Sequence, residues 1–184
     1  MGQLHDQIDD RLREFIAAQH VFFVATAPLS ANGHVNLSPK GLDSFRVLGP
    51  RLVGYVDYTG SGVETIAHIR ENARLTILFC AFEGPPKILR LYGRGRVIEP
   101  TDAEYAARVG AFSLAATARA LVLLEVTRIA DSCGFAVPLF EYRGERDQLP
   151  RWCERKGESG LRVYQREKNA LSLDGLPGLR EAER

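Results

Sequence analysis

The chain has 184 residues, 45% of them hydrophobic and 26% charged, with a formal net charge of +1. That length suits one domain spanning 1–184, which would bury about 70% of its unfolded surface. Near-neutrality argues against a nucleic-acid partner held by a broad basic field. No run approaches the ~20 apolar residues of a membrane span. The opening MGQLHDQIDDRLREF lacks a signal-peptide pattern, and the odd set Cys80, Cys133 and Cys153 forms no metal pair. A cytoplasmic chain with reduced thiols and no membrane partner is therefore expected.

Leu4, Ile8, Leu12, Phe15 and Ile16 recur at helical spacing, which predicts an amphipathic helix over 4–19. Residues 21–27 (VFFVATA) then read as a compact strand. Ala31-Asn32-Gly33 turns the chain back into a second strand over 34–38, since Asn-Gly supplies the positive φ angles of a tight hairpin. Residues 45–48 and 52–58 form a further pair bent at Gly49-Pro50. A helix over 63–71 and a strand over 74–82 follow. Glu83-Gly84-Pro85-Pro86 is a firm break, because two prolines can neither donate to a sheet nor continue a helix.

Residues 87–99 (KILRLYGRGRVIE) alternate apolar and basic positions as a half-exposed strand does, with Gly93 and Gly95 marking a bulge or bend. Thr101-Asp102-Ala103-Glu104 reads as a capping box opening a short helix, and 119–129 (RALVLLEVTRI) as a buried strand. Beyond Pro138 the composition turns polar, with two short helices around Trp152 and Tyr164 and a Gly/Pro-containing tail. Trp152 is expected to pin that helical region to the barrel. Six or more strands with short inserted helices, and no regular βαβ alternation, predict a mainly β barrel decorated by helices. The barrel would span about 20–130, and the C-terminal helices and tail about 139–184.

The segment Tyr58-Thr59-Gly60-Ser61-Gly62 joins a strand to a helix and supplies two aliphatic hydroxyls, Thr59 and Ser61, beside free helix N–H groups, an arrangement suited to an anion. A second reading of the same residues is a capping box, with Ser61 as N-cap and Glu64 at N3. His5, His20, His34 and His68 show no metal spacing, and His68 reads as a surface or partly packed residue. Arg90, Arg94 and Arg96, evenly spaced on one strand, read as a solvated basic face or as one arm reaching an anion. Cys80 reads as a small core residue, and Cys133 as more accessible. No hydrolase signature is present, and no catalytic acid, base or nucleophile stands out.

The order of these motifs resembles the pyridoxamine 5′-phosphate oxidase-like family of flavin-binding split β-barrels over about residues 10–130. The likeness rests on VATAPLSANGHVNLSP, YVDYTGSG, IRENARLTILF and LRLYGRGRVIE. It implies a homodimer with FMN at the subunit interface and a small-molecule substrate. Carried over residue by residue, it assigns Tyr58, Thr59 and Gly62 to the turn at the flavin phosphate. Where the family places Ser-Arg-Lys at the helix start, this chain has Val63-Glu64-Thr65, which removes cations and adds a carboxylate. The family's C-terminal Arg-x-His is absent as well, so a true pyridoxamine phosphate oxidase is not expected. Ser38 and Lys40 in Ser38-Pro39-Lys40-Gly41 lie near the missing arginine, and with Ser61 they complete the expected cradle. The expectation is an FMN-dependent oxidoreductase. The alternative is a non-catalytic protein on the same fold that takes deazaflavin, haem or no cofactor.

Overall fold

A computed structural model describes residues 2–112 and 118–180. Its centre is one antiparallel sheet of eight strands: β1 (Leu4–His5), β2 (Phe22–Thr26), β3 (Asn36–Lys40), β4 (Phe45–Gly49), β5 (Leu52–Tyr58), β6 (Arg74–Cys80), β7 (Ile88–Ile98) and β8 (Ala118–Ser132). The path runs β3-β2-β6-β7-β8-β5-β4, with β1 paired to β8. Four helices flank it: α1 (Asp10–Ala17), α2 (Glu64–Asn72), α3 (Tyr105–Val109) and α4 (Gln148–Lys168).

The sheet curls until its distant strands meet across the core. Phe22 on β2 lies 5.1 Å from Phe45 on β4, and Phe45 lies edge-on to Phe79 on β6 at 5.0 Å. β2 and β4 stand near opposite ends of the strand path, so these ring contacts describe an open half-barrel, consistent with a split barrel. Alternation explains the lining. In FFVAT, Phe22, Val24 and Thr26 are buried while Phe23 and Ala25 are not. In RLTILFC, Leu75, Ile77 and Phe79 face in. Leu12 and Ile16 of α1 close one side of this core. Val56, Ile98, Phe112, Leu121 and Leu123 form a second cluster.

The first helix is shorter than its period suggests. Leu4 and His5 pair with Ala130 and Ile129, and the His5 ring meets the Asp131 carboxylate at 2.9 Å. The helix begins only after Asp9, whose side chain accepts from the Leu12 N–H. The second strand of the first hairpin is displaced as well, to 36–40, which places Lys40 within a strand rather than in a loop beyond it. α3 opens without the predicted Thr101 cap: its N-cap is Glu104, and Asp102 instead accepts from the Glu99 N–H. α4 breaks at Gly157 (φ 64°, ψ 171°), which yields the two short helical segments expected there. Trp152 packs edge-on against Tyr164 at 5.0 Å, which ties those segments to each other. Cys80 and Cys153 are buried and Cys133 is exposed. Among the described residues no helix is long and apolar enough to cross a membrane.

Candidate functional site

β5 delivers the Tyr58–Gly62 turn to α2, and two features beneath it were not anticipated from sequence. Asp57 has no exposed surface, and it is held on both sides. Lys40 Nζ reaches one carboxylate oxygen at 2.7 Å and Arg119 Nε the other at 2.8 Å. Arg119 is aimed there by a β-bulge. The β5–β8 register pairs Asp57 with Ala120 and Tyr58 with Ala118, leaving Arg119 as the extra residue opposite the turn. Burial alone would raise the Asp57 carboxyl, but the flanking Arg119 and Lys40 override it and bring it down to about 2. Two cations thus share one carboxylate, and the cluster keeps one surplus positive charge below the turn.

The C-terminal segment covers the turn from outside. Gln165 Nε2 donates to Thr59 Oγ1 at 2.7 Å, Asn169 Nδ2 to the Gly60 carbonyl at 2.8 Å, and Arg119 Nη1 to that same carbonyl at 3.2 Å. Gly178 and Leu179 bond back to Ala170 and Asn169, folding the tail against α2. Thr59 is buried, whereas Ser61 and Gly62 are exposed.

Ser61 does not cap α2. The N-cap is Val63, with no side-chain cap, and Glu64 is the first helical residue. The Glu64 carboxylate bends over the turn: one oxygen accepts from the Leu173 N–H at 3.2 Å, and the other lies 2.5 Å from where a Gly62 Cβ would be. A carboxylate at this helix start suits the macrodipole, and it occupies the glycine face of the turn.

Of the residues singled out in the sequence, Lys40, Tyr58, Thr59, Ser61 and Gly62 lie on or directly beneath this turn. Ser38 is linked instead to α2 through a polar chain. Its Oγ donates to Asn36 Oδ1 at 2.9 Å, and Asn36 Nδ2 donates to Thr65 Oγ1 at 2.9 Å and Thr26 Oγ1 at 3.1 Å. Thr26 in turn meets His68 Nδ1 at 2.9 Å. His68 is fully buried, not a surface residue, and burial lowers its pKa. The strand arginines keep one face: Arg90, Arg94 and Arg96 point away from the buried Leu89, Leu91 and Gly95, because the extra residue where the β7–β8 register shifts is Thr127 of β8. Arg90 donates to Ser132, and Arg96 pairs with Glu104.

Asp57, Arg119, Gln165 and Asn169 carried too little local signal to be chosen. Asp57 was nonetheless visible as the single charge in LVGYVDY, and Arg119 as the charge that opens the apolar run ALVLL.

The surplus positive charge, the turn hydroxyls and the flexible Gly60-Ser61-Gly62 run fit a single anionic group of phosphate size. The Glu64 carboxylate opposes it.

Comparison with known proteins bears on the family and the fold. The family model for pyridoxamine 5′-phosphate oxidase matches residues 8–133. The pyridoxamine 5′-phosphate oxidase family protein ustO of Aspergillus flavus is 43% identical, the alignment taking in 100% of this chain and 80% of the relative. Among solved structures, HupZ of Group A Streptococcus (its H111A form) superposes with a TM-score of 0.54 at 24% identity, over 68% of this chain and 99% of that one. A candidate pyridoxamine 5′-phosphate oxidase from Lactobacillus delbrueckii gives 0.52 at 20%, over 68% and 94%. These superpositions are likenesses of fold. Taken with the family match and the 43% relative, they lead to one conclusion: the chain belongs to the pyridoxamine 5′-phosphate oxidase family.

Proposed function

We propose that this protein is an FMN-binding oxidoreductase acting on a small organic substrate, and that it works as a homodimer. The observation that carries the reading is the buried Lys40–Asp57–Arg119 cluster, whose surplus positive charge lies under a hydroxyl-bearing, glycine-rich turn. A charge-assisted hydrogen bond to phosphate contributes roughly 1.5–3 kcal/mol, more than a neutral one. In this reading Lys40 and Arg119 supply the positive field. The hydroxyls of Ser38, Tyr58, Thr59 and Ser61 and the backbone at Gly62 orient the phosphate, and Gln165 and Asn169 keep the turn in shape. Bound FMN supplies the hydride and electron chemistry, which accounts for the lack of a conspicuous acid, base or nucleophile in the chain.

A second reading rests on Glu64. Its carboxylate already occupies the glycine face of the turn, which favours a non-catalytic protein that has given up the flavin. The two readings separate in one titration of cofactor-stripped protein with FMN, with riboflavin as the control. Micromolar or tighter FMN binding, and much weaker riboflavin binding, supports the phosphate cradle. Failure of both to bind favours the second reading.

A further inference from the structure

At the mouth of the half-barrel a cavity of about 360 Å³ opens between α1, residues 41–44, β4 and Glu145. Its size falls within the range of small-molecule sites. Its floor is aromatic, made by Phe22, Phe45 and Phe79. One polar group in its wall has no internal purpose. Ser44 is 1% exposed, its carbonyl accepts from the Val56 N–H, and its hydroxyl has no hydrogen-bond partner among the described residues. Burying a hydroxyl unpaired costs stability that a bound partner would restore. The two residues before it, Leu42 (φ 61°) and Asp43 (φ 51°), both take the left-handed conformation that non-glycine residues avoid.

The charges around the rim are unequally matched. Arg46 binds Asp43 at 2.8 Å, and Glu145 accepts from the Tyr142 hydroxyl at 3.1 Å and the Leu42 N–H at 3.3 Å. Arg13 has only a 3.4 Å hydrogen bond to the Val47 carbonyl and no carboxylate within ion-pair distance among the described residues. The His20 ring, which also lines the cavity, stacks on Tyr142 at 3.5 Å.

We infer that this cavity binds a small monocarboxylic acid with an aromatic or branched aliphatic body. The body lies on the phenylalanine floor, and the carboxylate is taken by Arg13 and the Ser44 hydroxyl. Asp43 and Glu145 at the same rim disfavour a second negative charge. The site borders the flavin cradle, since the Tyr58 hydroxyl donates to the Leu42 carbonyl at 3.5 Å, but it takes its ligand through other side chains, so loss of FMN binding and loss of binding here are read in separate titrations.

The test is calorimetric titration of the full chain with phenylacetate, with benzyl alcohol, 2-phenylethylamine and phenylsuccinate as comparisons. Phenylacetate is expected to bind saturably and at least ~tenfold more tightly than the other three, the loss of one charge-assisted contact being worth about that factor. Arg13→Gln and Ser44→Ala should each weaken it by a similar factor. Ser44→Ala should leave the melting temperature unchanged or higher, since the hydroxyl has no partner to lose. That readout separates a binding role from a structural one, and Arg13→Gln, on the partly exposed face of α1, provides the test if Ser44→Ala misfolds. Absence of phenylacetate binding at ~10 mM, equal binding of the amine, or undiminished binding by Arg13→Gln would each overturn the assignment.

Discussion

Asp57 holds the buried Arg119 and the half-buried Lys40 in place, so replacing it removes a charge and strands two others. Asp57→Asn should destabilise the protein by about 3–5 kcal/mol at neutral pH, as removal of one member of a buried ion pair does; urea unfolding would measure it. The pH dependence has a definite sign. The folded carboxyl sits at about 2, below the ordinary aspartate value of about 3.9. Its contribution is therefore complete above about pH 4 and is lost as the pH falls towards 2. Wild type and Asp57→Asn should converge by about 2–3 kcal/mol across that window, and a gap that stays constant with pH would refute the account. At the neighbouring positions the prediction concerns binding. Lys40→Ala should weaken FMN by at least ~1 kcal/mol, and Glu64→Gln should tighten it by removing a like charge. Unchanged affinity in a folded Lys40→Ala protein would take Lys40 out of the cradle.

Two bulges on β8 set the shape of the sheet. One aims Arg119 at Asp57, and the other lies where the β7–β8 register shifts at Gly93. A Cβ at Gly93 would overlap the Glu125 carbonyl, and backbone on both strands would have to move. Gly93→Ala should cost about 1–3 kcal/mol, a drop of several degrees in the melting temperature for a chain of this size. Gly110→Ala, where nothing among the described residues lies within 4 Å of the new methyl, is the control and should be near neutral. The strands themselves were legible because their information is local: alternation in FFVAT and RLTILF, and breakers at Gly49-Pro50 and Pro85-Pro86. The misread positions have partners far along the chain. Leu4 is drawn out of the helical pattern by Ala130, and Glu64 is drawn out of its capping role by Leu173. Lys40 is ordered by Asp57. Asp57 and Arg119 are 62 residues apart, and only the fold brings them together.

At the scale of the molecule the curled sheet has an edge at β3, and the folded-back tail runs beside it. The Asp174 carboxylate accepts from the His34 backbone N–H at 2.8 Å and meets its ring at 2.6 Å, anchoring the tail next to the start of β3. Around that anchor Val35, Leu37 and Leu173 are 75%, 66% and 70% exposed. Apolar side chains grouped along a sheet edge leave a surface that favours association. In the proposed homodimer they pair with the same surface of a second copy, and a stable contact needs upwards of about 1,000 Å² buried in total. Light scattering should therefore report twice the chain mass. Leu37→Arg should shift the protein towards monomer without unfolding it, because that side chain is already exposed. If the flavin lies at the subunit interface, as the family resemblance implies, FMN affinity should fall together with dimerisation. A wild-type monomer that binds FMN tightly would sink the dimer while leaving the cradle intact. A Leu37→Arg monomer with unchanged FMN affinity would place the cofactor wholly within one chain.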